Sequence, residues 1–158
     1  MKKEKEKIRT QLIKSLEVYR EKAGFYFLDL PTSNTPPINV ELDNNDVEVL
    51  FLALGSSNQI LLTTKCLFII KNGEISRVDG LDIREFNFMN VESGRNKETR
   101  DKFETLREYK SWLYSGNFKI TKTDCTDIVI NLPHHDFGFC LFNAIKKLRF
   151  VTEKYEVF

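Results

Sequence analysis

The chain holds few of the residues from which metal centres, disulfide frameworks and nucleophilic sites are made: 3 Cys and 2 His in 158 residues. Cys66, Cys125 and Cys140 stand far apart with no CxxC pair, so the sequence predicts no zinc site. An odd cysteine count, with no apolar segment behind the basic N-terminus, predicts a reducing cytosol rather than a secreted disulfide scaffold. Long hydrophobic runs are missing as well. The longest, such as Val49 to Leu54, is far too short to cross a bilayer, and the expectation is a soluble, cytoplasmic protein. There is no Gly-rich phosphate loop. Net charge is only +1, which argues against the broadly basic face that nucleic-acid binding needs. From Ala23 to Thr64 there is no Lys or Arg at all, only Asp29, Glu41, Asp43, Asp46 and Glu48.

What is present is patterned. Residues 1–22 carry eight Lys/Arg against four Glu, a net of +4. Within residues 3–23, Ile8, Leu12, Leu16, Tyr19 and Ala23 recur at helix spacing, and Gly24 suits the position after a helix end. That gives either a solvated basic helix or one docked beside an acidic face. Phe25 to Leu30 is a strand or an extended linker. Residues 31–45, with Pro36-Pro37 and many Asn, Ser and Thr, form a loop. Strands are predicted at Val47–Leu54, Ile60–Thr64, Leu67–Lys71, Glu74–Val78 and Asp82–Phe88. Gly55 to Asn58 is a turn, and Asn72-Gly73 signals a two-residue hairpin loop with positive φ at both positions. Residues 89–115 read as a charged insertion, disordered at first and then helical. A second hairpin joins Asn117–Lys122 to Asp127–Leu132. Asp136 is a candidate N-cap for a last helix. Its apolar stripe is Phe137, Cys140, Leu141, Ala144, Ile145, Leu148 and Val151. The domain plan is thus an N-terminal segment at 1–30, a loop at 31–45, and a domain at 46–158 with an insertion at 89–115.

The block Ile60 to Ile70, followed by Asn72 to Val78 and Leu81 to Ile83, is similar to the bacterial PH-like and GRAM-like pattern. There, a strand ending in Leu-x-Thr leads to a basic residue, an apolar strand, a hairpin and a further strand. The chain differs from that pattern at Cys66, where the family often has Arg, and in the length of 89–115. The resemblance covers about residues 46 to 152. It implies an α+β, mainly β fold: a PH-like, seven-stranded antiparallel sandwich or barrel capped by a C-terminal helix, here with an extra N-terminal helix. It further implies a bacterial, non-enzymatic binding module.

Phosphoinositide-binding members of that superfold carry clustered Lys and Arg in the first hairpin. Here the hairpin is Leu54 to Gln59, without a positive charge, which counts against a lipid headgroup. A protein partner or a second copy of the chain is the expectation. Two surfaces suit it: Phe139, Phe142, Lys146 and Phe150 on the second stripe of the last helix, and Trp112 with Tyr114 in the insertion. The alternative partner is an anionic membrane surface met by Lys2, Lys3, Lys5, Lys7, Arg9 and Lys14. A small enzyme without a recognisable motif is the second alternative. No cofactor and no catalytic residue is expected. Cys140 or Cys125 with His134 or His135 would make a weak nucleophile pair, since Cys140 falls on the core stripe. His134 and His135 read as loop residues whose side chains point apart, with no third histidine or nearby cysteine to complete a metal set.

Overall fold

The apolar run ahead of Leu54 and the hairpins that follow it fold into one antiparallel sheet. The computed structural model describes residues 2–28, 40–55 and 58–155. It comprises two units, residues 1–81 with 143–158, and residues 82–142.

In the first unit, helix α1 (Lys2–Leu16) is followed by a 3-10 turn (Glu17–Tyr19) and five strands. These are β1 (Phe25–Phe27), β2 (Glu48–Gly55), β3 (Asn58–Thr63), β4 (Cys66–Lys71) and β5 (Glu74–Asp79), paired in that order. Val49 to Leu52 of β2 are all buried, as an uninterrupted apolar run requires of a strand covered on both faces. Asn72 (φ 51°) and Gly73 (φ 84°) close the β4–β5 hairpin with both residues left-handed, the type I′ geometry expected of Asn-Gly. The predicted first turn falls partly on residues 56 and 57, outside the described residues.

Two expectations need correction here. Helix α1 does not run to residue 23. It ends at Leu16, because Tyr19 stacks on Phe25 at 5.7 Å between ring centroids and turns the chain early. The segment before residue 46 is also not separate from the sheet: β1 pairs with β2, Tyr26 opposite Phe51. Among the described residues, strands from residue 46 onward number seven, as expected, and β1 adds an eighth.

The second unit holds a three-stranded antiparallel sheet of β6 (Ile83–Phe88), β7 (Gly116–Lys122) and β8 (Asp127–Leu132). Side chains do not simply alternate along β6. A register shift between Ile83 and Glu85 inserts a residue, so Ile83 and Phe88 are both buried although an odd number of positions separates them. Between β6 and β7 the chain is helical from the start, not disordered: α2 (Met89–Gly94), α3 (Lys97–Arg100) and α4 (Leu106–Leu113). Asn96 caps α3 by accepting from the Thr99 N–H at 2.8 Å, and Thr105 caps α4 through Glu108 N–H at 3.1 Å. Phe103, Tyr109 and Trp112 pack as one aromatic group, and the Tyr109 hydroxyl donates to the Gly94 carbonyl at 2.8 Å. Dense charge at 89–115 hid this small core.

Helix α5 (His135–Tyr155) begins in the second unit and ends in the first. Every member of its expected apolar stripe, from Phe137 to Val151, is buried. The class is therefore α+β, with two antiparallel sheets and a helix near each terminus. Among the described residues no strand pairing closes the sheets into one barrel. No described helix is long and apolar enough to cross a membrane.

Candidate functional site

Helix α5 buries one stripe completely and leaves its opposite side open. Phe150 lies there, 53% exposed. Helical spacing places Lys147 three residues before it and Lys154 four after it, on the same face. Their ammonium nitrogens sit 5.0 Å and 6.0 Å from the centre of the Phe150 ring, within cation–π range. Lys154 also lies 5.3 Å from the centre of the Tyr155 ring.

The N-terminal helix joins this face. The Gln11 side-chain amide donates to the Tyr155 hydroxyl at 3.1 Å. That bond, with the nearby Lys154 and Lys7 cations, lowers the Tyr155 pKa from its ordinary value. Lys7, Tyr155, Lys154, Phe150 and Lys147 therefore form one basic and aromatic surface drawn from both chain ends. Sequence reasoning had split it, assigning the N-terminal lysines to a membrane and Lys146 with Phe150 to a protein. The missed members are Lys147, Lys154 and Tyr155. Their signal was the i−3 and i+4 placement of lysines around an exposed Phe.

The other N-terminal cations are placed differently. Lys14 is exposed, whereas Lys5 reaches the Asn44 carbonyl at 3.4 Å and Arg9 approaches Glu6 at 3.9 Å. The side chains of Lys2 and Lys3 lie outside the described residues. Asp43 of the acidic stretch is bound by Arg77 at 3.0 Å, and the guanidinium holds the Asp43 carboxyl below the usual carboxylate range.

The remaining predicted interaction residues belong to the second unit, except Lys146, which is exposed on the first-unit half of α5. Phe142 is enclosed by rings, 5.0 Å from Phe86 and stacked on Phe88 at 5.7 Å. Phe139, 37% exposed, packs on Tyr114 at 4.7 Å, and Tyr114 in turn meets Phe88. Trp112 covers Gly94, where an added Cβ would lie 2.3 Å from the indole. Each of these rings packs against others of the second unit, while Phe139 keeps an exposed side.

The histidines do not point apart. The His134 and His135 rings stand 4.1 Å apart between centroids, tilted by 33°. His134, not Asp136, caps α5: its Nδ1 accepts from the Asp136 N–H at 3.1 Å, and Asp136 falls inside the first turn. The Asp136 carboxylate lies 3.4 Å from His134 Nδ1 and 3.7 Å from His135 Nε2.

Two of the three cysteines are disposed for packing rather than attack. Cys66 and Cys140 are both fully buried. Burial pushes the Cys66 thiol up to about 12 and raises Cys140 well above its usual value. Cys66 adjoins a buried polar knot in which Asp46 accepts from the Thr63 hydroxyl at 2.8 Å and the Thr64 hydroxyl at 2.7 Å. This knot ties the loop before β2 to the β3–β4 turn. Cys125, exposed in a left-handed turn (φ 70°), receives an Arg84 N–H at 3.0 Å. Comparison with protein-family models, curated proteins and solved structures returns no match.

Proposed function

We propose that this chain is a non-enzymatic recognition module of the PH-like type, which captures an acidic protein segment on the face around Phe150. The PH-like reading rests on element order: four strands, then three, then one amphipathic helix, with β1 and α1 as additions. The single observation that carries the functional reading is Phe150, exposed between Lys147 and Lys154, on a helix whose other side is buried. An apolar anchor ringed by cations complements a partner segment that places an apolar side chain among carboxylates. A lone exposed ring gives little apolar area for insertion into lipid, so the protein partner is favoured over the membrane.

The test is fluorescence anisotropy with a labelled Asp/Glu-rich peptide bearing one leucine anchor. Saturable binding should weaken on the order of tenfold, about 1.4 kcal/mol, in Phe150→Ala and in Lys147→Glu with Lys154→Glu. Unchanged binding in these variants would reject the surface. Pelleting with phosphatidylserine vesicles, without peptide binding, would move the protein to the membrane reading.

A further inference from the structure

The turn between β8 and α5 gathers both histidines of the chain and a carboxylate. One donor atom from each of His134, His135 and Asp136 lies within 4.8 Å of the others. A zinc ion bonded at about 2.1 Å in tetrahedral geometry holds its ligand atoms roughly 3.4 Å apart along each edge. His134 Nδ1 lies 3.4 Å from Asp136 Oδ2 and His135 Nε2 lies 3.7 Å from Asp136 Oδ1, so the imidazoles meet different oxygens of one carboxylate, and side-chain rotation is needed to bring both nitrogens and a single oxygen to three corners.

We propose that His134, His135 and Asp136 form a binding site for a borderline divalent transition-metal ion, with zinc as the type case. Two imidazoles and one carboxylate suit zinc, nickel or copper(II), whereas magnesium and calcium prefer all-oxygen sets. Three protein ligands leave a further coordination position on the exposed side of His134, open to water or to a donor from another molecule. Asp136 supplies negative charge where the N-terminus of α5 would otherwise oppose a cation. Phe139 meets His135 edge-on at 5.9 Å and supports that ring from within the same helix. Coordination through His134 Nδ1 takes the lone pair that now accepts the Asp136 N–H. Metal binding at that nitrogen therefore breaks the capping bond and leaves a mark on one backbone amide.

The experiment is calorimetric titration of the full chain with zinc chloride, in a Cys125→Ser background that removes the exposed thiol. NMR follows the Asp136 amide and the histidine ring protons. One ion per chain should bind, moving those signals. His134→Ala, His135→Ala and Asp136→Asn should each lower affinity at least tenfold, the least that even an outer-shell partner is worth. Asp136→Asn preserves the backbone and helix start, so its unchanged far-UV circular dichroism separates loss of a ligand from loss of fold. No saturable binding, or native affinity in either histidine variant, would overturn the proposal.

Discussion

Burial sets the chemistry of individual side chains here, and the thiols show it most directly. Cys66 has its thiol held protonated mainly by burial, with a folded value of about 12 against an ordinary 9.0. A folded value above the unfolded one means that the unfolded chain releases the proton first. The resulting stabilisation is complete below pH 9.0 and is lost as pH rises toward about 12. Urea unfolding measured across that range should show stability falling by up to about 1.4 kcal/mol per pH unit from this group. Cys66→Ala should flatten the slope relative to the native chain, and an identical slope would disprove the assignment. At neutral pH in native protein, Ellman's reagent should titrate one thiol rapidly, Cys125. The Cys140 half of this was legible in the sequence, because Cys140 sits on a periodic apolar stripe. The cluster of Asp46, Thr63, Thr64 and Cys66 was not: its hydroxyl–carboxylate bonds join residues 17 and 18 apart, and no local pattern marks them.

Among the elements, those whose period agrees with their burial were readable in advance. The apolar stripe of α5 and the Asn72-Gly73 hairpin depend on neighbours in sequence alone. The helices of 89–115 depend instead on Trp112 closing over Gly94 and on Asn90, whose amide donates to the Trp112 and Ser115 carbonyls. Glycine in α5 gives a test of such close approach. Gly138 lies in a helix interior, where alanine ordinarily stabilises by about 1 kcal/mol. Here a Cβ would stand 2.0 Å from the Tyr114 carbonyl oxygen and 2.7 Å from the Phe88 ring. The steric term outweighs propensity, because a backbone oxygen cannot swing aside as a flexible side chain can. Gly138→Ala should destabilise by roughly 1–3 kcal/mol, read as a melting temperature several degrees lower. A raised melting temperature would show that the helix moves away at no cost.

Charge distribution is the property of the whole chain that the fold uses. Residues 1–22 carry a net of +4 and residues 143–155 a net of +3, against −5 for residues 23–64. The asymmetry is plain in the sequence, but the union of the two basic ends is not, since Gln11 and Tyr155 are 144 residues apart. Deleting residues 1–22 would be a poor probe of that surface. It removes Leu12 and Leu16, each fully buried, together with Tyr19, and so strips cover from the first unit's core. Charge reversal at exposed positions is cleaner. Lys7 and Lys154 are both exposed, and surface substitutions of this kind change stability by only about 0.5 kcal/mol. Lys7→Glu with Lys154→Glu should therefore leave the melting temperature nearly unchanged. It should slow association with the acidic peptide and flatten the dependence of that rate on ionic strength. Steering acts over a Debye length of about 10 Å at 0.1 M salt, and reversal removes its source. A native salt dependence in the double variant would mean that attraction arises elsewhere on the molecule and that the two chain ends do not act as one surface.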